Sequence, residues 1–409
     1  MAAPDVKPGI DLLDPDLLTR RVPLEELAEL RRTAPVSWYP TEFHANGFDD
    51  AGYWIVTRHA DIVDVSRRSE AFSSYENGAI ARFPADMQRE NIELQRFILL
   101  NQDPPQHSAT RRIVSRGFTP RAIDALKQAL ADRARGIVEA AAAKGSGDFV
   151  TDVACELPLQ AICELLGVPQ EDRHQVFHWS NQMVGADDPE YAGADPQDAS
   201  TQMLMYAFGM ADERRERPTD DIATKLLTAN VDGALNQEEF GFFVLLLAVA
   251  GNETTRNAIT HGMNGFFDHP EQWELYKKTR PSTSADEIVR WACPIHAFQR
   301  TALSDTQVGG VDIAKGDRVV MFYSSANRDP DVFENPDTFD ILRDPNPHLG
   351  FGGSGAHYCL GANLARVEID LIFNAIADVM PDIKKLEKPR RLRAGWINGI
   401  KELKVSYTG

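Results

Sequence analysis

Apolar positions recur with a helical period through the middle of the chain, and strand-like runs appear only towards its ends. Residues 53–57 (YWIVT) are β-branched and aromatic and predict a strand, followed by a short helix from about Asp61. From about 105 to 295 the period is helical. Within it, 122–143 is rich in alanine and other helix formers, and Gly145-Ser-Gly147 ends the run. The pattern breaks at 187–200 (DDPEYAGADPQDAS), where acidic and turn-forming residues predict an exposed loop between two helices. The longest apolar run, 240–250, opens a buried helix. Strands return at 307–313 and 318–323, with Lys315-Gly316-Asp317 as the expected hairpin turn. A segment rich in Pro, Asp and Asn, 327–347, then leads into a glycine cluster and a last amphipathic helix at about 360–378. No repeat or long linker divides the chain. The expectation is therefore a mainly α protein with a small β region, one unit over 1–409. Its β-rich parts fall around 30–60, 295–325 and 385–409, and its α-rich parts around 105–295 and 355–380.

Composition narrows the range of partners. With 43% hydrophobic residues, the chain has ample material for a large core. Its 43 basic and 61 acidic residues leave a net charge of −18, which repels phosphate backbones and anionic lipid and argues against nucleic acid or a membrane surface. The four cysteines, Cys155, Cys163, Cys293 and Cys359, form no CxxC pair, so neither a disulfide framework nor a zinc ribbon is expected. A reducing, cytoplasmic setting fits them. The first residues carry Asp5, Asp11, Asp14 and Asp16 without a basic or apolar region, unlike a secretion signal or membrane anchor.

The candidate chemistry concentrates in Phe351-Gly-Gly-Ser-Gly-Ala-His-Tyr-Cys-Leu-Gly361, directly before the last helix. A cysteine at a helix start meets unpaired amides and the positive end of the helix dipole, and both favour its thiolate. Glycines ahead of it permit close approach to a flat macrocycle and aim amides at the sulfur, which tunes a thiolate-bound iron. An isolated cysteine is more often a buried free thiol. Gly350-x-Gly352-x-x-Gly355 also matches GxGxxG, but a dinucleotide site needs a strand just before it, and Asp344-Pro-Asn-Pro-His348 stands there. The loop resembles the haem-ligand loop of the cytochrome P450 family, Phe-x-x-Gly-x-His/Arg-x-Cys-x-Gly. Gly355, His357, Cys359 and Gly361 are in register, and Phe351 lies one residue early. That resemblance implies Cys359 as the axial ligand of haem b, with Gly355, His357 and Gly361 at the haem and His357 donating to a propionate. It also implies the family's fold, with the haem between an oxygen-activating helix and the cysteine loop.

Further stretches stand in the family's order. Ala250-Gly-Asn-Glu-Thr-Thr255 lies in the apolar helix, where a buried acid and hydroxyl are costly unless used. Thr254 can bond the carbonyl of Ala250 four residues earlier and loosen the helix, leaving room for a diatomic ligand. Glu253 and Thr254 are then the candidate proton relay. Glu287 and Arg290 share a helix face, and Arg343 completes the ion network that the resemblance implies; all three are read as structural. His107, Arg111 and Arg300 match the positions that hold the propionates in this family, and the resemblance implies that Ala250 faces the haem. His174 and His178 have the spacing of a zinc pair but lack the glutamate of HExxH, so a structural or surface role is expected.

Residues 240–243, 248–257, 272–277, 355–359 and 395–401 resemble the actinobacterial steroid 26/27-hydroxylases. This implies a monooxygenase acting on the terminal side-chain methyl of a sterol such as cholesterol or cholest-4-en-3-one, with O2 as co-substrate. Val249, Phe298 and Trp396 would line an apolar funnel, and His296 would stand near its wall. No flavin domain is fused, so a ferredoxin and its NAD(P)H-dependent reductase are implied. Arg111, Arg112 and Arg366 are the candidate docking patch, and 187–200 the candidate lid. The alternatives are an ω-hydroxylase of branched fatty acids or isoprenoids and, in a different class, a non-catalytic haem-thiolate sensor.

Overall fold

The computed structural model describes residues 9–44, 47–83, 88–185, 187–191, 196–219, 221–228 and 233–408. At its centre runs a 32-residue helix, Gln237–Asp268. Its start is fixed by a capping box, in which Asn236 Oδ1 accepts from the Glu239 amide and Glu239 Oε2 accepts from the Asn236 amide, each at 2.9 Å. The helix is apolar on nearly every side because it is covered on nearly every side. Helices Glu156–Leu166, Arg173–Val184, Pro196–Glu216, Ser284–Ala292 and Ala362–Val379 all pack against it. Gly251 makes one of these contacts possible, since a Cβ there would lie 2.5 Å from the Ile162 side chain. Helix Pro120–Lys144 opens on Thr119, whose hydroxyl accepts from the Ala122 amide, and stops where Gly145 takes φ +75°. Its apolar face covers the C-terminal helix Ala362–Val379.

A five-stranded sheet flanks the helical body in the order Val36–Pro40, Gly52–Val56, Arg318–Phe322, Ala297–Ala302, Phe72–Ser73. Gly52–Val56 and Arg318–Phe322 pair in parallel and the other neighbours are antiparallel. Arg318–Phe322 is buried along its whole length, as a central strand should be. Short strands at Lys384–Lys385, Arg390–Arg391, Ile400–Glu402 and Lys404–Ser406 complete the β structure near the C-terminus.

Two expectations need correction. Residues 307–313 are not one strand: Thr306–Val308 and Val311–Ile313 form their own hairpin. Its turn is Gly309-Gly310, at φ +57° and +80°, which suits two-residue hairpin geometry. Arg318–Phe322 pairs elsewhere, so Lys315-Gly316-Asp317 is a link and not a hairpin turn. The acidic stretch after Asp187 is also shorter and less exposed than its composition suggests. Pro189–Tyr191 is a 3-10 turn, and Pro196 already begins a helix. Asp188 is buried, because Lys401 Nζ donates to both its carboxylate oxygens at 2.9 Å and the Arg393 amide donates at 3.0 Å. Residues 192–195 of the expected lid lie outside the described residues.

Candidate active site

A cavity of about 950 Å³ opens between the central helix and the loop that carries Cys359. The loop is held by its own backbone: the Cys359 amide donates to the Phe351 carbonyl at 2.9 Å and the Gly352 amide to Leu349 at 2.9 Å. Gly352 and Gly355 take φ +98° and +86°. The early Phe351 therefore still reaches Cys359, through its carbonyl, while its ring lies beneath the Arg366 guanidinium at 4.5 Å. Gly355 packs on a neighbouring helix. It is absent from the cavity wall, and a Cβ there would sit 2.4 Å from the Ser66 carbonyl oxygen. Its freedom lets the loop press on helix His59–Arg67. Cys359 and Gly361 do line the cavity. Burial pushes the Cys359 thiol up, opposed by the Gly361 amide and by the Arg111 and Arg366 charges. A metal bound to the sulfur would displace that proton outright.

One side of the cavity gathers basic groups, buried at His107 and Arg300 and half-buried at Arg111 and His357. His107, Arg111, Arg300 and His357 all line it, and the two imidazole rings are 4.3 Å apart. Neither ring nitrogen of His107 has a hydrogen-bond partner among the described residues, although the side chain is buried. His357 Nε2 meets the Ser74 hydroxyl at 3.2 Å, Arg111 donates to the Tyr358 carbonyl at 2.5 Å, and Arg300 donates to the Gln299 carbonyl at 2.6 Å. Burial, with the neighbouring arginines, pushes His107 down to about 4 and His357 to about 2. Four basic side chains with an orphaned imidazole form a receptor for a dianion. This fits haem b: the basic cluster would hold its propionates, and the Cys359 sulfur would be available to its iron.

The opposite wall comes from the central helix. Val249, Ala250, Gly251, Glu253 and Thr254 line it, and Thr254 Oγ1 donates to the Ala250 carbonyl at 2.5 Å, as the spacing predicts. Glu253 is fully buried and bonded to Arg256, whose guanidinium also donates to Asn181 Oδ1 at 3.0 Å. Burial pushes the Glu253 carboxyl up and Arg256 pulls it back. Arg256 went unnoticed, although its i+3 spacing from Glu253 repeats that of Glu287 and Arg290.

Glu287, Arg290 and Arg343 come together in the interior, away from the cavity. Arg290 grips Glu287 through Nε and Nη2 at 2.7 and 2.8 Å, and Arg343 Nε adds a bond at 3.2 Å. Phe298 and Trp396 line the cavity and stack at 6.0 Å and 25°. His296 does not line it: its ring is buried against Phe322 and bonds the Ser324 hydroxyl at 2.7 Å. That removes it as a polar wall residue. His174 and His178 are exposed, and no metal-binding group of His, Cys, Asp or Glu occurs among the described residues.

No motif marks Glu368, on the helix after Cys359. It lines the same cavity, is 2% exposed, and its Oε2 has no partner among the described residues. Burial alone pushes this carboxyl up to about 8. In the unfolded chain a glutamate titrates near about 4.3. Between those values the folded state holds the extra proton, so Glu368 lowers stability as pH rises through that window. Glu368→Gln keeps the shape and never ionises. It should abolish this decline, gaining up to about 4 kcal/mol relative to the parent between about pH 5 and about pH 9 in urea unfolding. Parallel stability curves for the two proteins would refute the assignment.

Comparisons with known proteins agree with this geometry. The family model described as Cytochrome P450 matches residues 284–377, which span the Glu287–Arg290 pair and the cysteine loop. The chain is 64% identical over 408 residues to the Steroid C26-monooxygenase of Rhodococcus jostii, covering 100% of this chain and 86% of that protein. A more distant relative, the Methyl-branched lipid omega-hydroxylase of Mycobacterium tuberculosis, is 41% identical, covering 93% of this chain and 90% of that one. Among solved structures, Mycobacterium marinum cytochrome P450 CYP268A2 in complex with pseudoionone superposes with a TM-score of 0.90 at 36% identity, covering 99% and 100% of the two chains. With a cysteine loop, an acid-threonine helix and a basic receptor around one cavity, and with such relatives along its whole length, the chain belongs to the cytochrome P450 family.

Proposed function

We propose that this protein is a haem-thiolate monooxygenase that hydroxylates the terminal side-chain methyl of a sterol such as cholesterol or cholest-4-en-3-one. The observation that carries the sterol reading is the 64% identity, along the whole chain, to a relative named for steroid C26 oxidation. Haem, when bound, supplies the activation of O2 and the insertion of one oxygen atom into a C–H bond. Cys359 would hold the metal, and His107, Arg111, Arg300 and His357 would hold the propionates. Ala250 leaves space beside the wall, and Thr254 presents its hydroxyl there with Glu253 behind it as the proton source. Val249 and the Phe298–Trp396 stack confine the substrate, so that its chain end meets the reactive centre before a more easily oxidised secondary carbon does.

Electrons come from a ferredoxin and its reductase, and the chain works in the cytoplasm as one P450 domain over 1–409. The docking face we favour centres on Arg111 and the exposed Arg112. Arg366 contributes less charge there than expected, because Asp286 accepts from its Nε at 2.8 Å.

The sterol reading is tested by spectral binding titrations of the haem-loaded protein with cholest-4-en-3-one and with a methyl-branched fatty acid. Tight sterol binding is expected; preference for the fatty acid would replace this reading by the ω-hydroxylase alternative. Thr254→Ala should cut product formed per O2 consumed about tenfold while consumption continues, with the difference recovered as hydrogen peroxide. Unchanged coupling would remove Thr254 from the proton route, and a pure sensor would show no turnover in either form.

A further inference from the structure

Two charged side chains on the cavity wall remain without a task once the haem and proton groups are assigned: Arg82 and Asp187. Of the other charged wall residues, Arg111 and Arg300 stand with the two histidines, Glu253 pairs with Arg256, and Glu368 lies buried beyond the cysteine loop. Arg82 and Asp187 belong instead to a group of ions near the surface. Arg82 Nη1 lies 3.6 Å from Asp11 Oδ2, and Arg393 donates to the Asp187 carbonyl at 2.5 Å and to Asp16 Oδ1 at 2.6 Å. These residues come from the N-terminal segment, residue 82, the turn after helix Arg173–Val184, and the C-terminal β region. Asp16 in this group is exposed and Arg82, Asp187 and Arg393 are half-buried, so this part of the cavity wall lies near the surface.

The position of Arg82 is built into the backbone. Its side chain crosses Gly395, where a Cβ would lie 2.5 Å from Arg82 Cδ and 2.5 Å from the Leu13 carbonyl oxygen. Gly395 immediately precedes Trp396, so the residue that stacks on Phe298 and the residue that seats Arg82 are neighbours. Across from it, burial pushes the Asp187 carboxyl up, and the Arg82 and Arg393 charges oppose that. Near the surface the cavity wall thus carries one donor-only and one acid group that sense each other, among neutral polar side chains such as Asn91 and Gln197.

Resting on the sterol reading, we propose that Arg82 and Asp187 form the recognition site for the oxygen on the sterol's A ring and so set how deep the side chain reaches. A molecule held with its terminal methyl at the reactive centre presents its ring oxygen at the far end of the tunnel. Guanidinium donates to a ketone or a hydroxyl oxygen, whereas a carboxylate accepts only from a hydroxyl. Arg82 therefore serves both substrates, and Asp187 favours the 3-hydroxyl form.

The test is a ligand series on the haem-loaded full chain: cholest-4-en-3-one, cholesterol, and cholestane, which has no ring oxygen. Arg82→Met should weaken binding of the ketone about tenfold and leave cholestane unchanged, with Arg82→Lys recovering part of the loss. Asp187→Asn should weaken cholesterol more than the ketone. Equal losses for all three ligands would show that the pair only shapes the mouth, and no loss would show that it is idle; either overturns the proposal. If the parent protein binds none of the three, the sterol reading itself falls and the A-ring site falls with it.

Discussion

Cys359→Ala is expected to drop product formation on the order of a hundredfold or more and to remove the thiolate signature from the carbon monoxide spectrum of the reduced protein. The loop should survive the change. Its geometry rests on the Cys359 amide bonded to the Phe351 carbonyl and on Gly352 and Gly355, and none of these needs the sulfur. Circular dichroism should therefore match the parent while colour and turnover are lost. The sulfur is the atom of this loop that would hold the iron, and its neighbours Arg111, Arg366 and the Gly361 amide favour its anion. A variant that retained both the spectrum and the activity would remove the basis of the haem-thiolate assignment.

Glu287→Ala should destabilise the protein by about 3–5 kcal/mol, because it strands the guanidiniums of Arg290 and Arg343 without their anion. Glu287 and Arg290 are fully buried, and the same carboxylate also accepts from the Asp340 amide at 2.9 Å and from Asn346 Nδ2 at 3.0 Å. Arg290 in turn donates to the carbonyls of Asn327, Pro336 and Thr338. One side chain thus ties helix Ser284–Ala292 to the segment that leads into the cysteine loop. A loss of this size is a large part of ordinary domain stability, so the variant should also retain haem poorly. Denaturant unfolding followed at the haem band and by circular dichroism measures both effects. Less than about 1 kcal/mol of change would mean that the network is dispensable.

Much of the site was legible because its parts are short in sequence. The cysteine and its glycines are contiguous, Thr254 reaches a carbonyl one turn back, and Glu287 meets Arg290 at i+3. Helical periodicity likewise marks the central helix, the alanine-rich helix and the C-terminal helix, since an apolar stripe is a local property. Arg343 was found only because a resemblance pointed to it.

Local pattern also sets clear limits. Composition reads Asp188 as solvated, but its partner Lys401 arrives from the other end of the chain, and only the fold brings the two together. A histidine beside the expected pocket turns away because Ser324 offers its ring a hydrogen bond. Gly355 looks like a haem contact, yet the backbone it must accommodate belongs to Ser66. The charge on Arg366 is taken up by Asp286, and Glu368 becomes an anomaly only once every neighbour that might have solvated it is in place.

Spacing along the chain thus determined the local geometry: a cysteine behind a run of glycines, a threonine hydroxyl bonded one turn back, and an i+3 ion pair, each made by residues within a turn or two of one another. Tertiary structure alone decided which charges are spent on partners and which remain facing the cavity. Burial and pairing depend on residues hundreds of positions apart, and neither periodicity nor composition records who the neighbours will be.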